Sequence, residues 1–427
     1  MTRFQVFKSL LPSVLMAALL LASCDKEYNN DFAPGEEPWL EHEIPSPEEE
    51  AETTVSLPPT RLALSEAELK MISPSNDFTF DFFRKYHKGS SDMLLSPLGF
   101  QLTWAMVGNI VEDEKALCDL LGSEGESING VNTYFKHLIE ALSSEKCSKE
   151  FKLANALMAD VQAPKYPQSF LEVLKSDYYV DYNEIEAAPL AELPRGSRPE
   201  DIWCKDKTDG MISVAPFAIL ETQASLFNAL CFKGEWQDKF DKELTRPSDF
   251  HLNENAKTSL PFMHKKSKAS YYENDDLSAL SFPFGDGTYN LTILLPKTKF
   301  NVGGVLEKLD SDIWDTIRKS LVYKEVAMSI PVFSTKYTEK IVFDFKFKDD
   351  INPFIAIGQN AIFKMDEDGA SAAAVTQVVT PTAAGPSGEE KVVEFIANNP
   401  FLYTISEAGS GLVLFIGQFS GKEADDN

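Results

Sequence analysis

Three observations predict an α+β protein. Helical periodicity dominates the early part of the chain, and strand patterning the last part. The chain has 427 residues, 43% of them hydrophobic, enough for a large core. Thirty Phe against 22 Gly argue for packed structure rather than disorder, and no solenoid-type period is visible.

The elements follow in order. Between Asn76 and His87, Phe78, Phe82, Phe83 and Tyr86 fall at helical spacing. Ser96 then reads as an N-cap, with Pro97 at the first helical position. Leu98–Val111 is apolar almost all round, which predicts a buried helix. Asn155–Ala159 and Asn228–Phe232 read as strands. Leu291–Leu295 is a buried strand before Pro296, and Val326–Ile330 alternates more loosely. Phe401–Ile405 and Leu412–Phe419 are closing strands, joined by a turn over Glu407–Gly411.

Residues 1–23 stand apart from the fold. Arg3 and Lys8 form a short basic region before an apolar run, Leu10–Leu21, short for a membrane span and followed by small residues. This is the pattern of a secretory signal. Leu21-Ala22-Ser23-Cys24 resembles a bacterial lipobox, which implies lipidation of Cys24. The expected location is a membrane, the outer one, with the domain facing periplasm or cell surface. Residues 24–61 are acidic and Pro-rich and predict an extended tether, with the folded domain over 62–427.

The chain carries −26, and −28 without Arg3 and Lys8. Eleven acids in residues 25–60 face Lys26 alone, leaving the domain at about −18. Such a surface repels phosphates, so nucleic acid is not an expected partner. It suits solubility, or the steering of a basic partner.

Sequence motifs for catalysis are absent. After Cys24 the cysteines are Cys118, Cys147, Cys204 and Cys231, with no CxxC pair and no zinc-like spacing. Spacing leaves their disulfide state open, while Cys231 lies in an apolar run and reads as buried and inert. The histidines, His42, His87, His137, His251 and His264, belong to no hydrolase or metalloprotease motif. His87 ends a helix and reads as a capping or surface residue. No catalytic residue, metal or cofactor is expected.

Four segments share one resemblance. Asn228-Ala-Leu-Cys-Phe-Lys-Gly-Glu-Trp236, followed by Phe240, is similar to the serpin pattern N-x-x-x-F-K-G-x-W. Ser96-Pro97-Leu98 resembles the family's S-P-L-S, and Asn399–Leu402 with Leu414–Gly417 its closing strands. Glu367-Asp-Gly-Ala-Ser-Ala-Ala-Ala-Val-Thr376 resembles the hinge of inhibitory serpins, E-x-G-[T/S]-x-A-A-A-x-T. The resemblance covers about residues 62–424. It implies a single serpin-like domain with large mixed or antiparallel sheets, helices and an exposed reactive loop over about 367–394. It also implies a sheet-opening region containing Ser96, Asn228, Trp236 and Gln359.

The chain departs from the pattern in places. Gly99 replaces the usual second Ser, Gln359 a common buried His, and Asn399 a frequent His before Pro-Phe. The stretch between Phe333 and Asp344 is shorter than usual, so a basal helix is expected to be missing.

The function implied is protease inhibition by a suicide substrate. A serine or cysteine protease cuts the loop, stays attached as an acyl-enzyme, and is carried away as the loop inserts into a sheet. The partner is that protease, and the inhibitor is expected to be a monomer. A strand entering mid-sheet must lack Pro and present small or apolar groups. Ala370–Thr380 has neither Pro nor charge, and Ala370, Ala372, Ala374 and Thr376 share one face, with Ala373 on the other. Counting forward from Gly369 by the family rule places the reactive bond at Ala383–Ala384, which suits an elastase-like small pocket. Counting back from Phe395 places it near Gly388–Glu389. The forward count is preferred because hinge-side length sets how far the protease is carried. The alternative is a non-inhibitory surface protein on the same fold.

Overall fold

In a computed structural model, residues 54–87, 89, 91–190, 192–221, 223–341, 346–348, 355–370 and 392–422 are described. Phe-rich periodicity yields α2 (Ile72–Tyr86), after the short capped α1 (Glu66–Leu69). The all-round apolar segment yields α3 (Pro97–Gly108), in which every residue is buried. Ser96 precedes α3, but its side chain does not cap it: the hydroxyl donates to the Leu414 carbonyl at 2.7 Å. Then come α4 (Glu114–Leu120), α5 (Ile128–Leu142), α6 (Gln168–Asp177), α7 (Ala187–Leu190) and α8 (Pro199–Lys207), with α9 (Val302–Lys308) and α10 (Ser311–Lys319) later.

The strands are β1 (Met93–Leu95), β2 (Phe151–Asp160), β3 (Val180–Ile185), β4 (Ala224–Phe232), β5 (Gly234–Glu235), β6 (Arg246–Asn253), β7 (Ala256–Glu273) and β8 (Leu277–Phe284). They continue with β9 (Tyr289–Pro296), β10 (Val322–Pro331), β11 (Phe333–Ile341), β12 (Ile355–Asp366), β13 (Gly369–Ala370), β14 (Val393–Ile396), β15 (Phe401–Glu407) and β16 (Val413–Phe419). Among the described residues they form two sheets. One runs β1-β16-β15-β9-β8-β7-β10-β14, with β6 beside β7. The other runs β3-β2-β4-β12-β13-β5, with β11 beside β12. The result is one α+β domain, its main core between the sheets and α2–α6.

The closing hairpin forms as read, β15 turning into β16 at Gly411, whose φ of +78° favours glycine. His87 is the C-cap residue of α2, as read, and its Nε2 also hydrogen-bonds Gln418 Oε1 at 2.6 Å, tying the helix end to β16. All four described cysteines are free and buried, and burial pushes the Cys231 thiol up to about 11.

The end expected of the tether packs on the domain. Thr60 Oγ1 and the Arg61 amide donate to the carboxylate of Glu407, itself fully buried, at 3.0 and 2.8 Å. A buried carboxylate needs such donors, and Thr60–Arg61 supply them. The folded body therefore begins before residue 62.

Candidate functional site

The hinge region sits where two central strands part. β4 is buried throughout and apolar except at Ser225 and Asn228, as suits a strand covered on both faces. It runs parallel to β12 from Ala224↔Ile355 to Phe227↔Gly358, and there the ladder stops. β11 occupies the other edge of β12 from Ile341↔Ile357 to Phe333↔Met365. From Gln359 to Lys364, no strand among the described residues pairs with the edge of β12 facing β4.

At the lower end of this split lies a buried polar clamp. Gln359 grips Ser96 with both ends of its amide: Oε1 accepts from the Ser96 N–H at 2.7 Å, and Nε2 donates to its carbonyl at 3.0 Å. Asn228 Nδ2 donates to the Gly99 carbonyl at 2.5 Å and to Thr103 Oγ1 at 3.0 Å. Both strands are thus tied to the start of α3. Gly99 makes this possible: a Cβ there would lie 2.5 Å from Gln359 Nε2 and 2.7 Å from Asn228 Oδ1. The two departures at 99 and 359 fill the same space and fit each other.

At the upper end the hinge itself enters. Asp366 Oδ1 accepts from the amides of Asp368 and Gly369, folding the chain back. Gly369 has φ +141°, and a Cβ on it would stand 2.3 Å from the Gly234 carbonyl. Only glycine fits. Ala370, 1% exposed, pairs with Met365 of β12 on one side and Gly234 of β5 on the other. β13 is therefore a wedge between the parted strands.

The wedge is held by the segment after β5. Trp236 stacks on Phe284 at 4.5 Å and donates from Nε1 to the Asp366 carbonyl at 2.8 Å. The amides of Trp236 and Phe240 donate to the carbonyls of Asp368 and Glu367 at 2.9 and 3.1 Å. Thr245 Oγ1 donates to Glu367 at 2.6 Å. Lys242 and Lys239 face Asp368, and the Lys242 hydrogen bond holds its carboxyl below the usual carboxylate range.

Of the residues expected to act together, Ser96, Asn228 and Gln359 meet at the clamp. Trp236 does not join them: it lies eight residues beyond Asn228 and belongs with Glu367, Gly369 and Ala370. Ala372, Ala373, Ala374, Thr376, Ala383, Ala384 and Cys24 lie outside the described residues. Thr103, Lys239, Lys242 and Thr245 were not legible in advance; each acts on a partner distant in sequence or through one side-chain oxygen, and no motif marks that.

Comparison with known proteins bears on this arrangement. The family model described as Serpin (serine protease inhibitor) matches residues 73–343 and 354–421. An uncharacterized serpin-like protein of Thermococcus kodakarensis is 26% identical over 404 residues, covering 88% of this chain and 91% of the relative. Serine protease inhibitor 42Dd of Drosophila melanogaster is 25% identical, covering 75% and 89%. Among solved structures, the native thermophilic serpin tengpin superposes with a TM-score of 0.69 at 23% identity, covering 85% and 95%. A thyroxine-binding globulin complex with thyroxine gives 0.70 at 19%, covering 83% and 100%. The match over most of the chain and the likeness of fold agree with the hinge and clamp: the chain belongs to the serpin family of serine protease inhibitors.

Proposed function

We propose that this protein inhibits serine or cysteine proteases by suicide-substrate loop insertion, with Ala383–Ala384 as the reactive bond and an elastase-like target. The observation that supports this best is Ala370, already paired on both edges between β12 and β5. β4 and β12 are parallel neighbours, and β13 runs antiparallel to its partners. A strand continuing from Ala370 would replace one short parallel contact by two antiparallel ladders, the more stable pairing per residue. Ala370–Thr380 carries no Pro or charge to oppose it.

In the reaction, the protease serine hydroxyl attacks the Ala383 carbonyl. An ester to Ala383 forms, the bond to Ala384 breaks, and the Ala384 amine leaves with the proton. Insertion must then outrun attack by water on the ester. The experiment is to mix the protein with pancreatic elastase and run a denaturing gel. A boiling-resistant band near the summed mass supports the reading. Cleavage without that band from elastase-, trypsin-, subtilisin- and papain-like enzymes alike would favour a non-inhibitory role. The structural likeness to a thyroxine complex gives that second reading its basis.

We also propose that the protein is a monomer anchored through a lipid on Cys24 in the outer membrane. The Leu21–Cys24 pattern supports this. Cys24→Ala should release the protein from the membrane fraction, and retention of that variant would overturn the anchor.

A further inference from the structure

A cleft of about 680 Å³ lies between α2, α3 and the segment after α4, on residues that neither hinge nor clamp uses. Its size suits a drug-sized ligand. The floor is aromatic. Phe78 and Phe82 stack at 5.3 Å, and Trp104 stands edge-on to both, at 5.6 and 5.8 Å. Leu120, 44% exposed, continues the apolar surface at the rim.

The rim is acidic. Asp77, Asp81, Asp119, Glu124 and Glu126 line the cleft, against Lys85 alone. Three of these carboxylates are engaged: Asp77 accepts from the Ser311 amide, Asp81 pairs with Arg84, and Asp119 with Lys115. Glu124 and Glu126 are exposed and form no ion pair among the described residues. Carboxylates alone would gather only counter-ions. No three acids among the described residues converge closely enough to hold a metal. Lys115, paired with Asp119, also feels the charge of Glu124, yet the rim keeps an excess of carboxylates, and an aromatic floor beside it asks for something else: a cation on an apolar body.

We propose that this cleft binds an organic cation, an ammonium or guanidinium carried by an aromatic or alkyl group. The apolar body lies on Phe78, Phe82 and Trp104. The charged head meets Glu124 and Glu126 at the rim. Lys85 does not compete, because its Nζ lies over the Tyr86 ring at 5.4 Å.

The test uses the full chain and 4-phenylbutylguanidinium as probe, with 4-phenylbutylurea as its neutral isostere, followed by calorimetry. The expected result is saturable one-to-one binding, with the urea at least about tenfold weaker. Glu124→Gln/Glu126→Gln alters only exposed side chains, so its fold should survive, and it should weaken guanidinium binding at least about fivefold. Trp104→Phe should also weaken it while retaining the melting transition. No saturable binding up to about 1 mM, equal binding of the urea, or unchanged affinity in the double variant would each overturn the proposal.

Discussion

The two ends of the split between β4 and β12 are held in opposite ways. Below, at Ser96, Asn228 and Gln359, the contacts are buried amides packed against a helix without room for one extra carbon. Above, at Asp366–Ala370, much of the hold comes from backbone turns, one indole N–H and partly exposed lysines. Buried hydrogen bonds cost the full desolvation of their partners when broken, whereas exposed ion pairs exchange readily with water. The difference teaches where resistance lies. On the proposed insertion, the hinge would enter at the loosely held end, where Ala370 already pairs on both sides, and would next meet the clamp.

Substitutions at each end sharpen or break this contrast. The largest effect is expected from Ala370→Arg, which would place a charge at a buried position between two strands. It should turn inhibitor into substrate, read as loop cleavage without a detergent-stable complex. Retained complex would mean that Ala370 does not lead the insertion.

Next comes the clamp. Gln359→Ala leaves the buried N–H of Ser96 without its partner, while the Ser96 carbonyl keeps the Gly99 amide, and should cost about 1–3 kcal/mol in denaturant unfolding. Gly99→Ser should cost about 1–3 kcal/mol by overpacking against Gln359 and Asn228. In the double variant the penalties should add only in part, because removing Gln359 clears the tightest contact of a Ser Cβ while Asn228 and Leu230 still crowd it. Additive penalties would show that the two positions are not a matched pair.

Gate substitutions should do less. Trp236→Phe keeps most of the stacking on Phe284 but loses the bond to Asp366, worth about 1 kcal/mol. Protease cutting near the hinge should quicken in that variant. Asp368→Asn should have a smaller effect, with a defined pH dependence. Its folded carboxyl titrates below the ordinary 3.8, so its contribution is present above that value and disappears as pH falls through the lowered folded value. Wild type and variant should therefore differ in proteolysis rate at neutral pH and converge in acid.

Much of this architecture is legible in the sequence because its signals are local. The apolar run of α3, the Pro after Ser96 and the closing hairpin with its glycine turn each lie within a few residues. β7 was not legible: its 18 residues alternate buried and exposed positions unevenly while it serves β6, β8 and β10 in turn. The hinge is marked by Gly369 and the alanines after it. The segment that holds it is not, since Lys242 and Asp368 are 126 residues apart. The clamp was half visible. Gly99 and Gln359 stood out singly as departures from the family, but only the structure, in which a Cβ at residue 99 would lie 2.5 Å from Gln359 Nε2, shows that one compensates the other.

The central claim is that cleavage releases a strand into the split, and thermal unfolding before and after loop cleavage tests it most directly. The account predicts a large rise in melting temperature for the cut protein, because Gln359–Lys364 gains a partner and the sheet gains a full strand. An unchanged melting temperature, with the loop shown to be cut near Ala383, would contradict it.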